Sequence, residues 1–150
     1  MAYWRLHYHL IWATRQRLPL ISPALELQIY AVILNKAREL GVIVHALGGI
    51  EDHIHVVVSI PPRISVADCV KHFKGASSYY VNHQPGAPGD YAWQDGYGAL
   101  TFGERSLPDV ITYVRNQKEH HHQQSVRPLY ERMTAEEDGV AVVPGNAAER

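Results

Sequence analysis

The stretch VIVHALGGIEDHIHVVVSI, residues 42–60, decides the fold. Residues 42–49 and 53–60 are two short strand-like runs, separated by a tight turn near Gly49 to Asp52. Strands this close in sequence form a hairpin and pair antiparallel. In the second run Ile54, Val56, Val58 and Ile60 share one face, because alternate residues of a strand point the same way. That apolar face is expected under helices, which puts His53 and His55 together on the other, open face. Pro61 and Pro62 end the strand.

Upstream, Ser22 followed by Pro23 reads as a helix start, and the helix runs to Leu40 and stops at Gly41. Residues 3–13 alternate, with Trp4, Leu6, Tyr8, Leu10 and Trp12 on one side and Arg5, His7, His9 and Ile11 on the other. Downstream, Ser65 and Asp68 open a second helix to about Asn82, and residues 84–96, with two prolines and three glycines, are a loop. Tyr97 to Glu104 gives a fourth strand. Ser106 with Asp109 caps a third helix through about Gln123. The order β-α-β-β-α-β, then α, is an α+β, ferredoxin-like (RRM-like) arrangement. It has a four-stranded antiparallel sheet with two helices on one face, plus a C-terminal helix that carries Tyr113. Residues 1–124 form one domain and 125–150 a C-terminal extension, loose from about Thr134.

Composition narrows the function. Hydrophobic residues at 46% and charged residues at 19% fit a globular chain and exclude wholesale disorder. A single cysteine, Cys69, excludes a disulfide scaffold and fits a reducing compartment such as the cytoplasm. No apolar run is long enough to span a membrane. The net charge of −1 does not advertise a nucleic-acid binder. It is uneven, however. Glu136, Glu137, Asp138 and Glu149 against Arg150 put −3 on residues 134–150 and leave +2 on the rest. Ten histidines are the unusual number.

His53 and His55, two apart on a strand, can converge on one metal ion. His7 and His9 repeat that spacing on the first strand, which lies beside the third in this topology. They either join a four-histidine centre or, the favoured reading, make hydrogen bonds, touch substrate or support the other pair from behind. Tyr113 and Gln117 are four apart and share a helical face; residue type alone reads the first as core and the second as solvated. His120, His121 and His122 read as a polar helix end.

Five segments in order carry a resemblance: YHLIWAT (8–14), GGIEDHIHVVV (48–58), KHFKGASS (71–78), WQDGY (93–97) and YVRNQKEHH (113–121). Together they resemble the HUH single-tyrosine transposases of small bacterial insertion sequences, and their domesticated relatives that act on repetitive extragenic palindromes. The resemblance covers about residues 3–124. It implies that His53 and His55 are the metal pair, Gln117 the third ligand and Tyr113 the nucleophile that forms a 5′-phosphotyrosine. It also implies a divalent cofactor, Mg²⁺ or Mn²⁺, single-stranded DNA with hairpin ends as partner, and a homodimer in which the tyrosine helix can complete the partner's site. Mg²⁺ prefers oxygen ligands, so two imidazoles favour Mn²⁺. Arg15, Arg17, Lys71, Lys74, Arg115 and Lys118 are then candidates for phosphate contact, and Trp12, Trp93 and Tyr97 for base stacking, with core the favoured reading for Trp12. The rival readings are a non-catalytic nucleic-acid-binding module on the same fold and a small metal-storage protein.

Overall fold

A computed structural model describes residues 2–133. Four strands, β1 (His7–Ala13), β2 (Ile43–Ile50), β3 (His53–Ser59) and β4 (Gly98–Phe102), form one antiparallel sheet in the order β2-β3-β1-β4. The two central strands pair with Ala13 opposite His53 and His7 opposite Ser59. The hairpin β2–β3 pairs as the sequence predicts, with one irregularity between Val44 and Ala46.

Helices α1 (Pro23–Leu40) and α2 (Val66–Asn82) lie on one face. Each begins with a serine, Ser22 or Ser65, whose hydroxyl accepts a backbone N–H of the first turn. α1 ends at Gly41 with φ 72°, the left-handed conformation that only glycine adopts at no steric cost. Leu10, Trp12, Ile54, Val56 and Val58 meet Ile29, Ile33, Cys69, Val70 and Phe73 in the main core. Burial pushes the Cys69 thiol up to about 12, so it is an inert core group.

The other face is not open. Helices α3 (Leu107–Arg115), α4 (Gln117–His122) and α5 (Pro128–Glu131) cover it, and every residue of β3 is buried. Val110, Tyr113 and Val114 of α3 pack on Ala46 and Val57. The spacing of Val110, Tyr113, Val114 and Gln117 is an amphipathic stripe that needs an apolar surface to cover. The sheet supplies it, and His53 and His55 end beneath these helices rather than in solvent. Gly48 permits the close approach, since a Cβ there would collide with the Val114 carbonyl.

The third helix is two. Asn116, at φ −102° and ψ 27°, breaks it between α3 and α4, although the Asn116 carbonyl still accepts the His120 N–H. Ser106 closes a short 3-10 turn and makes no side-chain cap. Trp12 is a core residue, as its place on the apolar face of β1 suggests, and Trp93 is half-buried beside it. The Trp12 ring is fully buried, and Trp93 packs edge-on against it while its Nε1 donates to Ser77 Oγ. Trp12 therefore offers no surface to a base, and Trp93 and Tyr97 pack at the margin of the same core. No helix among the described residues is long and apolar enough to cross a membrane. The segment expected to be loose from about Thr134 lies outside the described residues.

Candidate active site

The turn before β3 and the strand itself set two imidazoles, two residues apart, against α4 and α5. His53 is 1% exposed and His55 is wholly buried. Their Nε2 atoms lie 3.2 and 3.3 Å from Glu131 Oε1, and His121 Nε2 lies 3.2 Å from the same oxygen. One ligand atom from each of these four residues falls within 4.8 Å of all the others. Ligands on one ion at about 2.1 Å are separated by about 3.0–3.4 Å, so the spacings suit a shared cation.

The donor chemistry supports that fit. His53 Nε2 and His55 Nε2 are buried and make no hydrogen bond; their contacts to Glu131 meet ion-pair distance but not hydrogen-bond geometry. Buried polar atoms are rarely left so, and two that converge on one point fit a shared ligand. The opposite ring nitrogens are held. Asp52 Oδ1 lies 2.7 Å from His53 Nδ1, and His9 Nε2 lies 2.7 Å from His55 Nδ1.

Tyr113 arrives from α3. Its Oη donates to Glu131 Oε2 at 2.5 Å and accepts the Arg127 N–H at 3.0 Å. Its ring stacks on His120, with centroids 4.7 Å apart, and stands 6.1 Å from the His55 ring. Arg127 covers the ring and pairs with Asp109 at 2.6 Å, fastening the segment after α4 to the first turn of α3. Tyr113 and the histidine pair thus meet within one chain. Gln117 is buried, donates to the Tyr113 carbonyl and turns Oε1 to His121 Nε2 at 3.1 Å.

Electrostatics follow this geometry. Burial works against a charged Glu131, but the surrounding imidazoles and the Tyr113 hydroxyl outweigh it and hold its carboxyl far below the usual range. Burial pulls His53 down, yet Asp52 and Glu131 together raise it above its ordinary value. Burial dominates at His55 and lowers it to about 4. Burial, then the Glu131 carboxylate, pushes Tyr113 up to about 12, so its oxygen rests as a phenol.

The remaining sequence-predicted residues scatter. His7 lies at the far end of β1, bonded to Ser59 Oγ at 2.8 Å, and no four-histidine centre forms with it. Lys74 Nζ donates to the Gln94 and Gly96 carbonyls, both at 2.8 Å, and pins the loop before β4. Lys118 sits 2.6 Å from Glu26, and Arg115 reaches the His45 carbonyl at 3.5 Å. Arg17 meets Met133 Sδ at 3.6 Å, while Arg15 and Lys71 are exposed. Lys71 and Lys74 are on α2, whereas Arg115 ends α3 and Lys118 lies on α4, helices that pack on the other face of the sheet. Sequence reasoning missed His121 and Glu131. The spacing Tyr113, Gln117, His121 was a usable signal, each one helical turn from the next. Glu131 had none, being a lone acid in a four-residue helix.

The His-hydrophobic-His pair on a central strand, beside a helical tyrosine, is what the resemblance to single-tyrosine HUH transposases implies, and comparisons with known proteins support that class. The family described as "Transposase IS200 like" matches residues 2–117, and the chain belongs to it. His121 and Glu131 lie beyond the matched residues. The ISDra2 transposase TnpA of Deinococcus radiodurans is 26% identical over 119 residues, covering 76% of this chain and 85% of the relative. A crystal structure described as a transposase of the same species shares 27% identity with a TM-score of 0.59, over 78% of this chain and 95% of that one. A REP-associated tyrosine transposase, solved bound to a REP hairpin, has a TM-score of 0.62 at 13% identity, over 100% of this chain and 98% of that one. At that identity it shows the fold alone.

Proposed function

We propose that this transposase cleaves and rejoins single-stranded DNA through Tyr113. His53 and His55, completed by Glu131 and Gln117 oxygens with His121 at the rim, would hold a divalent cation. The observation that carries this reading is the Glu131 carboxylate, which touches Tyr113 Oη with one oxygen and faces both buried Nε2 atoms with the other. Mn²⁺ suits the mixed nitrogen and oxygen set better than Mg²⁺. Such an ion, when bound, supplies Lewis-acid polarisation of a phosphate and offsets its charge.

Tyr113 Oη attacks the phosphorus in line, and the bond from phosphorus to the 3′ oxygen breaks. One side becomes a 5′-phosphotyrosine; the other leaves as a 3′-hydroxyl after taking a proton from solvent. Glu131 Oε2 is the acceptor already in contact with the phenolic proton. The tyrosyl linkage retains the phosphodiester, so a 3′-hydroxyl can reverse the step and join new ends without ATP. Tyr113 is 1% exposed, so the segment bearing Arg127 and Glu131 shifts when a phosphate reaches it.

The substrate class is a folded single strand, in keeping with the REP hairpin held by the similarly folded relative. Arg15, Arg17, Lys71, Arg115 and Lys118 are the proposed phosphate contacts, with Lys74 ordering the loop. The working unit is a homodimer in which each site is built from one chain.

The test is incubation with a single-stranded DNA hairpin and Mn²⁺, followed by a denaturing gel. A covalent protein–DNA adduct is expected. Tight binding without any adduct would support the non-catalytic module instead.

A further inference from the structure

We propose that His9 is a positioning residue: its Nε2 accepts the Nδ1–H of His55 and fixes the tautomer that leaves His55 Nε2 free to bind a cation. This rests on the metal reading of His53 and His55 above. In the β1–β3 ladder His9 pairs with Val57 and Ile11 with His55, which sets His9 and His55 diagonally on the same face. Their rings lie side by side and nearly coplanar, with centroids 5.0 Å apart and 12° between planes, and the two nitrogens are 2.7 Å apart. Tyr130 closes the other side of His9 edge-on at 5.2 Å.

A neutral imidazole has one N–H and one lone pair, and only the lone pair binds metal. His55 Nε2 faces Glu131, His53 and His121, so as a ligand it must carry its proton on Nδ1. That proton points at His9 Nε2. His9 must then keep its own proton on Nδ1, which is the buried atom that makes no hydrogen bond among the described residues. The orphaned Nδ1–H is the cost of this tautomer; the reverse one, with His9 donating, would orphan no N–H but would put a proton on His55 Nε2 and close it to a cation. His53 solves the same problem with the Asp52 carboxylate, a common partner for a metal-binding imidazole. His9 achieves it without adding charge beside a fully buried ring.

The test uses ¹⁵N-labelled full-length protein, with Zn²⁺ as a diamagnetic probe for NMR and Mn²⁺ for affinity. In the Zn²⁺-loaded protein the His55 proton should sit on Nδ1 and show a scalar coupling across the hydrogen bond to His9 Nε2. His9→Phe keeps a ring and removes the acceptor; Mn²⁺ affinity should fall about 10–100-fold. His9→Gln offers a carbonyl oxygen to the same proton and should recover part of that loss. Absence of the coupling, Zn²⁺ bound through His55 Nδ1, Mn²⁺ affinity unchanged in His9→Phe, or Gln no better than Phe would each overturn the assignment. If His9→Phe does not fold, the wild-type coupling and the Gln variant decide. Wild-type protein that binds neither ion would instead overturn the metal reading of the pair, and His9's role with it.

Discussion

The two ends of the central strand pair both gather histidines, and they use them differently. At one end His7 Nδ1 and His45 Nε2 share the Ser59 hydroxyl, at 2.8 and 2.6 Å. The nearest carboxylate, Glu104, is 59% exposed and 3.5 Å from His7 Nε2. At the other end three Nε2 atoms surround one oxygen of Glu131, which is 17% exposed. A hydroxyl can give to one imidazole and take from the other, so Ser59 satisfies one nitrogen of each ring, while His7 Nε2 makes no hydrogen bond and meets only the exposed Glu104. Three imidazole nitrogens on one carboxylate oxygen concentrate lone pairs and negative charge where a cation would sit. Each end holds buried imidazoles; what separates the two is what lies at the focus of the nitrogens.

The largest effect should come from Tyr113→Phe. The adduct should vanish on a denaturing gel while hairpin binding persists. Stability should drop by about 1–3 kcal/mol, because Glu131 and the Arg127 N–H lose a partner. An undiminished adduct would remove the mechanism. The contrast between the ends is tested next. His53→Ala or His55→Ala should reduce cleavage by at least about 100-fold and abolish tight Mn²⁺ binding. His7→Ala should leave both nearly unchanged. Equal losses at both ends would show that the Glu131 focus confers no special role on His53 and His55. Because Tyr113 meets His55 within one chain, mixing Tyr113→Phe with His55→Ala protein should restore no adduct; rescue would show that chains share sites.

A smaller effect concerns charge. Tyr113 is raised to about 12, first by burial and then by Glu131. Removing the charge in Glu131→Gln should move its ionisation down toward about 10, the ordinary tyrosine value. Tyrosinate absorbance, differenced against the same variant carrying Tyr113→Phe, reads this. A folded value above the unfolded one means that the phenol's contribution to stability is full below about pH 10 and is lost as pH rises toward 12. That alkaline loss should shrink in Glu131→Gln. The smallest effect is expected at the surface. Lys71→Ala should weaken hairpin binding by a few-fold and lower the salt dependence by about one ion.

Much of this was legible from residues alone. The alternation in 53–60 fixed which face of β3 carries His53 and His55, and the serine caps placed α1 and α2 within a residue. The buried second face was harder to read. A single α3 stripe says that something must be covered, but not that it is the sheet face bearing the histidines. His121 followed the Tyr113–Gln117 spacing and was hidden by the histidine run around it. Glu131 could not be read, because its place depends on where a short segment after Gln124 folds back. Lys74 looked like a surface cation because its partners are main-chain carbonyls, which no side-chain pattern records.

Gly98 has a consequence for how such chains diverge. A methyl group there would collide with the Arg132 carbonyl and crowd the Ile11 side chain. The bare position on β4 therefore admits the backbone one residue after Glu131. Gly98 lies within the residues matched to the family; Arg132 and Glu131 lie beyond them. Two stretches that could otherwise drift apart are thereby tied by one absent carbon. Across relatives, a glycine at this point of the fourth strand and an acid at the position of Glu131 should be gained and lost together. Chains that carry a larger residue there should route the segment after α4 differently and complete the cluster without that carboxylate.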